Sequence, residues 1–200
     1  MKEIEMILVD VGGVILLANQ RITYRALQSY GIPPEQAAKF FDNEDYRNFS
    51  RGKITGREFH RSLVERHLKH DLSYEEVVEA HDAHIYELNY KVLKMVQELA
   101  GRFPIAFVTD TNPWQTRRER EFIDLREISK NIVRSSRIRL LKCDEDYFPY
   151  IAQRFNLNTE EMLLIDDDRS NIQRAQNEDY QTHRFTNWKE FQRFLKSSNL

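Results

Sequence analysis

The 200-residue sequence predicts an α/β fold, a mainly parallel sheet wrapped by helices, with a helical bundle inserted after the first strand. Three observations carry that reading. The run Ile4 to Val9 is apolar with almost no alternation, as expected of a strand covered on both faces. From Ala18 to Asn89 no comparable apolar run occurs, and helix-start signals take its place. Beyond Asn89 short apolar runs alternate with polar clusters and helical segments, the pattern of a parallel sheet with crossover helices. The length suits one compact domain carrying a modest insertion.

The elements follow in chain order. The first strand ends at Asp10, and the flexible pair Gly12 and Gly13 comes next. Thr55 with Glu58, and Ser73 with Glu76, each fit a capping box, in which the hydroxyl takes a main-chain N–H and the carboxylate returns to the capping residue. Residues 18–89 are therefore read as a helical cap, and 1–17 with 90–200 as the core. Val92, Leu93, Val96 and Leu99 form a helical stripe stopped by Gly101. Strands are expected at Ile105 to Val108, Ile132 to Val133 and Met162 to Ile165, with a weak one at Gln181 to Phe185. Asn187 then caps a last helix that buries Phe191, Phe194 and Leu195.

Composition narrows the function. The 30 basic and 32 acidic residues give a net charge of −2, which leaves no electrostatic footprint for nucleic acid or an anionic membrane. Cys143 is the only cysteine, which excludes an internal disulfide framework and a cysteine-rich zinc site. The Ile4 run is far too short to span a bilayer. Glu3 and Glu5 interrupt what would be a secretory leader. A cytoplasmic protein is the expectation.

The chemistry is read from what ends each strand. Asp10 follows the first, Thr109 the second, Asp166, Asp167 and Asp168 the fourth, and Lys142 stands shortly after the third. In a parallel sheet these termini share one edge, so carboxylates, a hydroxyl and an ammonium meet in one crevice. That set is complete for phosphoryl transfer: carboxylates for a hard cation such as Mg²⁺, a lysine and a hydroxyl for phosphoryl oxygens, and a carboxylate free to attack phosphorus.

These residues resemble the motifs of the haloacid dehalogenase-like superfamily. Val9-Asp10-Val11-Gly12-Gly13-Val14 is similar to its nucleophile loop and Val108-Thr109-Asp110-Thr111-Asn112 to its hydroxyl motif. Lys142 with Asp144 and Phe148 fits its lysine motif, and Ile165-Asp166-Asp167 with Asn171 its metal motif. The turn Arg51-Gly52-Lys53-Ile54-Thr55 with Glu58-Phe59 resembles one in caps of the branch holding sugar-phosphate phosphatases and phosphatase domains fused to epoxide hydrolases. The resemblance implies a Rossmann-like three-layer sandwich with a small helical cap, and a Mg²⁺-dependent phosphatase of small phosphorylated metabolites. It makes Asp10 the nucleophile and a metal ligand, with the Gly12 carbonyl, Asp167 and Asp166 as further ligands and Asn171 orienting them. Thr109 and the Asp110 amide would bind the phosphoryl group, and Lys142 would bridge it to Asp10.

The sequence also departs from the family. Gly12 stands where most active phosphatases of the superfamily carry a second aspartate as proton donor and base, although the resembling branch also has glycine there and includes phosphatases. This opens the alternatives of a phosphate-binding pseudoenzyme or a slow enzyme for acyl and anomeric phosphates. Cys143 replaces a proline, Arg139 a glycine, and Asp110 an asparagine. A metal-free dehalogenase is disfavoured by the paired Asp166 and Asp167, and a signalling receiver module by the order of the motifs and the inserted cap.

Other candidates receive plainer readings. His67 with His70, and His81 with His84, have metal-ligand spacing but lack a third ligand, and are read as solvated cap histidines. Arg117, Arg118 and Arg120 follow the cap Asn112 and Pro113 as an exposed helix face. Lys142 next to Cys143 favours a thiolate, but no histidine partner completes a cysteine nucleophile. Asp168 is read as the cap of the helix that follows it, and specificity is assigned to cap side chains around Asp45 to Thr55.

Overall fold

A computed structural model describes residues 2–198 and 200. The chain runs β1 (Met6–Val9), β2 (Leu16–Ala18), α1 (Gln20–Ser29), α2 (Pro34–Ala37), α3 (Glu44–Ser50) and α4 (Gly56–Ser62), which continues into a π-helical turn at Leu63–Leu68. Then come α5 (Tyr74–Asp82), β3 (Ile85–Leu88), α6 (Tyr90–Ala100), β4 (Ile105–Thr109), α7 (Pro113–Phe122), β5 (Ile132–Arg134) and α8 (Ser135–Ile138). The last elements are α9 (Tyr147–Phe155), β6 (Met162–Asp166), α10 (Arg169–Asn177), β7 (Gln181–Arg184) and α11 (Trp188–Ser197). Among the described residues no helix is long and apolar enough to cross a membrane.

Five strands form one parallel sheet in the order β5-β4-β1-β6-β7. Alternation along its strands sends side chains to opposite faces. Ile7, Val9, Ile105, Phe107, Leu163 and Ile165 pack under α6 and α11, through Val92, Val96, Leu99, Phe191 and Leu195. Met6, Leu8, Ala106, Val108 and Leu164 face α9 and α10, through Tyr147, Phe148, Ile151, Ile172 and Ala175. The expected three-layer sandwich is present, with its central strand β1 buried along its whole length.

The insertion between β1 and β4 is helical, as expected, but it stands on a stem the sequence did not announce. Leu16 pairs with Leu88 and Leu17 with Glu87, so β2 and β3 form a two-stranded antiparallel ribbon. The capping boxes at Thr55 and Ser73 are both formed, and Asn187 accepts the Glu190 N–H. The helices pack around Phe40, Phe41, Phe49, Phe59, Leu63 and Val77.

One core residue joins that cluster. Trp114, in the first turn of α7, packs among Phe49, Phe59 and Tyr74, with ring centroids 4.9, 5.6 and 5.5 Å away, and its Nε1–H donates to the Tyr74 hydroxyl at 2.8 Å. The cap is thus keyed onto the core by a core tryptophan.

His81 and His84 are buried, not solvated, which corrects the reading above. His81 lies against Phe40 and Trp114, at 5.9 and 5.3 Å. Burial lowers the proton affinity of its ring, against the pull of Asp82. His84 bonds the His81 carbonyl through Nδ1 and faces the Gln115 amide through Nε2. That arrangement suits a neutral ring donating at Nδ1 and accepting at Nε2, and burial with neighbouring His81 pushes its pKa down to about 3. Apolar helix neighbours convert a metal-like spacing into packing.

Candidate active site

Strand register delivers the expected convergence. Val9 pairs with Phe107 on one side and Ile165 on the other, so Asp10 leaves the sheet beside Asp166, and Thr109 flanks the loop after Asp10. Thr109 is buried at the end of β4. The loop after Asp10 closes tightly: the Ile15 and Leu16 N–H groups donate to the Val11 carbonyl, and the Gly13 N–H donates to the Leu16 carbonyl at 2.8 Å. Gly13 adopts φ +74, and a Cβ there would collide with the Asp167 carboxylate. Gly12 has no such constraint: its φ lies outside the left-handed region, and a Cβ would meet nothing within 4 Å.

Lys142, expected by residue type alone to be a surface side chain, is 1% exposed. Its Nζ lies 2.8 Å from Asp10 Oδ1 and 2.6 Å from Asp166 Oδ2. Burial opposes its charge, but Asp10 and Asp166 hold its pKa well above the ordinary value. Asp166 also accepts from the Asn171 amide at 3.2 Å and from the Asp168 N–H at 2.8 Å. Asp168 caps α10 as read from sequence, accepting the Ser170 and Asn171 N–H groups.

Asp10, Asp166 and Asp167 bring carboxylate oxygens within 4.8 Å of one another, the one such acidic cluster among the described residues. One ammonium, paired with Asp10 and Asp166, serves a cluster of three carboxylates, and the imbalance shows in the proton affinities of Asp10 and Asp167. Burial pushes Asp10 well above the carboxylate range, against Lys142 and with Asp166 adding to the rise. Asp167 is pushed up to about 6 by burial and Asp166. Crowded, partly desolvated oxygen donors of this kind suit a hard divalent cation, which supplies the missing positive charge.

Asp110 reaches solvent in part, yet its carboxyl sits over Lys142, accepting the Lys142 main-chain N–H at 3.1 and 3.2 Å. Desolvation there, partly offset by Lys142, pushes it up to about 6. Cys143 is exposed and its thiol is pushed up by burial of the sulfur and by Asp144, so the expected thiolate is not favoured. Arg117 pairs with Asp82, and Arg118 reaches the Ile85 carbonyl and Glu121. Both serve the cap contact. Asp45 turns to Ser62 and His67 within the cap.

Residues unnoticed in the sequence also join the site. Ser135, wholly buried at the end of β5, accepts the Thr111 N–H at 2.8 Å and places its hydroxyl 2.7 Å from the Ser50 carbonyl. Its position after a strand, like that of Asp10 and Thr109, was the signal available. The Tyr147 hydroxyl is buried, and burial raises its proton affinity well above the usual value, against the pull of Lys142.

The haloacid dehalogenase-like hydrolase family model matches residues 8–184. The chain belongs to the haloacid dehalogenase-like hydrolases. The same fold occurs in a HAD family enzyme of Bacteroides thetaiotaomicron, in complex with magnesium and inorganic phosphate, with a TM-score of 0.82 at 16% identity over 94% of this chain and 98% of that one. A HAD-like family hydrolase of Porphyromonas gingivalis aligns with a TM-score of 0.83 at 21% identity, over 97% and 98% of the two chains. The L-2-haloacid dehalogenase of Xanthobacter autotrophicus, with chloropropionic acid covalently bound, gives 0.66 at 12% identity over 97% and 83%. A search of curated proteins found no significant match. In this haloacid dehalogenase-like hydrolase the residues matching the lysine and metal motifs meet in one place, with Lys142 buried between Asp10 and Asp166 and Asp167 beside them.

Proposed function

We propose that this hydrolase is a Mg²⁺-dependent phosphatase of small phosphorylated metabolites, working through an aspartyl phosphate on Asp10. The observation that carries the reading is Lys142 held between Asp10 and Asp166, with Asp167 completing an acidic cluster. Asp10 and Asp167 would hold the cation directly, with the Gly12 carbonyl as a third ligand. Asp166, already engaged by Lys142, Asn171 and the Asp168 N–H, would act through water. Bound there, Mg²⁺ would draw charge from the phosphoryl oxygens. Support for the metal and substrate class comes from the Bacteroides enzyme, whose structure holds both magnesium and phosphate.

Asp10 spends Oδ1 on Lys142, which leaves Oδ2 to attack phosphorus as the ester P–O bond breaks. Lys142 then offsets charge on the phosphoryl oxygens, with the Thr109 hydroxyl and Asp110 N–H as further donors. Residues 18–89 would form the cap that excludes water and selects the ester. No carboxylate at position 12 protonates the leaving group, so the enzyme favours esters whose leaving groups depart unaided, or Asp110 supplies the proton. A phosphate-binding pseudoenzyme is the second reading, favoured by Gly12 itself, which offers no side chain to move a proton.

The test is hydrolysis of phosphorylated metabolites and an aryl phosphate series with Mg²⁺. We expect activity that chelator abolishes and rates that rise steeply with leaving-group acidity. Gly12→Asp fits the backbone and the space, and should raise rates on poor leaving groups by about 10²-fold, the lower end of general acid catalysis. No turnover of any ester by either protein would support the pseudoenzyme. A flat dependence in the unmodified protein would point to Asp110, tested by Asp110→Asn.

A further inference from the structure

The lysine's loop is fastened from the cap. Arg51, at the end of α3, sends Nε to Asp144 Oδ2 at 2.9 Å and Nη2 to Asp144 Oδ1 at 2.7 Å, a two-pronged fork with Arg51 only 12% exposed. The same Asp144 Oδ2 accepts the Leu141 N–H at 2.8 Å, while the Asp144 N–H donates to the Leu141 carbonyl at 2.9 Å. Lys142 lies inside this closed turn. Gly52 permits the approach: it holds φ +65, and a Cβ there would strike the Ser136 main chain. Ser135, which also accepts the Thr111 N–H, binds the Ser50 carbonyl alongside, so of three consecutive cap residues Ser50 and Gly52 rest on the start of α8 and Arg51 on the loop that carries Lys142.

We propose that Arg51 is a positioning residue for Lys142, acting across the cap and core through Asp144 and the Leu141 amide. A lysine side chain has much rotamer freedom to lose, and the acidic pair at its tip fixes the ammonium only if the loop at its root stays put. The planar fork supplies that restraint as a lysine in its place would not. Asp144 is correspondingly held below the usual carboxylate range, first by the Arg51 hydrogen bonds. The cap thereby completes the catalytic apparatus besides selecting the ester. This inference rests on the phosphatase reading for its kinetic arm only.

Arg51→Met, Arg51→Lys and Asp144→Asn, with the Arg51→Met/Asp144→Asn double variant, test it. Hydrogen exchange at the Leu141 amide, read by NMR on the full chain, should accelerate in Arg51→Met and Asp144→Asn, and less in Arg51→Lys. The ratio kcat/KM should fall about tenfold in Arg51→Met, equally for alkyl and aryl esters, with a matching loss of orthophosphate inhibition. The double variant should be no worse than the poorer single one. Unaltered Leu141 exchange, additive losses, or a loss confined to KM and differing among esters would overturn the proposal, the last by making Arg51 a substrate contact. If the unmodified chain turns over no ester, the phosphatase reading fails while the exchange measurement still decides this one.

Discussion

Two buried regions of this molecule are held together in opposite ways. At the sheet edge, Asp10, Asp166, Asp167 and Lys142 place charge where water is scarce, and a cluster of three carboxylates has one ammonium, paired with two of them. At the contact of cap and core, Trp114, Phe49, Phe59, Tyr74 and His81 are neutral and pack ring on ring. Burial stabilises the second region, since apolar area leaves water and the indole N–H keeps a partner. It works against the first, where the raised proton affinities of Asp10 and Asp167 record the cost. The charged site is maintained for what it does, and the seam for what it holds.

The largest effect that sharpens this contrast is Asp10→Asn. Activity should fall at least about 10⁴-fold, as when a nucleophile is removed, while the melting temperature in chelator stays level or rises. A variant that loses both would mean the charged centre is also a structural keystone. Trp114→Ala should do the reverse, lowering stability by about 3 to 5 kcal/mol as large aromatic truncations in cores do. Chemical denaturation measures it, and a loss under about 1 kcal/mol would show that the cap does not depend on this key.

The two regions should also answer pH with opposite sign. Asp167 binds its proton more tightly folded, at about 6, than at its ordinary 3.8, so its contribution is present below about 4 and is lost as pH rises through 6. His84 binds its proton less tightly folded, at about 3 against 6.5, so its contribution is present above 6.5 and is lost as pH falls toward 3. In chelator, Asp167→Asn should gain stability relative to the unmodified chain from pH 5 to 7. His84→Gln should gain relative to it from pH 7 to 5. Parallel profiles for the two variants would erase the distinction.

The smallest expected effect lies outside both regions and serves as their control. Arg139, where the family carries glycine, adopts φ +63, a conformation that costs a side-chain-bearing residue strain. Arg139→Gly should stabilise by about 0.5 to 1 kcal/mol, with activity and both pH responses unchanged.

The charged region was far more legible in the sequence than the neutral one. Strand ends are local signals: Asp10, Thr109 and Asp166 announce themselves by following apolar runs, and parallel topology then gathers them. Capping at Thr55, Ser73, Asn112, Asp168 and Asn187 is equally local, a side chain and an N–H two or three residues apart. His81 and His84 were misplaced, and Trp114 went unremarked, because helix periodicity marks a buried face without saying which neighbour covers it. The β2 and β3 ribbon escaped because three or four residues pair across about seventy intervening positions, a distance no local pattern spans. Arg51 lay within a recognised turn, but its partner Asp144 belongs to another motif, and only the folded chain brings them together.

The order of strands in the sheet has a consequence for how the chain comes to be folded. β1 lies between β4 and β6, so the run Met6 to Val9 meets its first neighbour only when Ile105 has been synthesised and its second only when Met162 has. The helices from Gln20 to Asp82 draw on nearer contacts and can form while that strand waits, and Trp114 arrives soon after β4 to lock them in place. Pairings so distant along the chain are slow to close. Throughout that interval an apolar strand with both edges free is open to mispairing or to a chaperone, and the segment so exposed is the one that leads into Asp10.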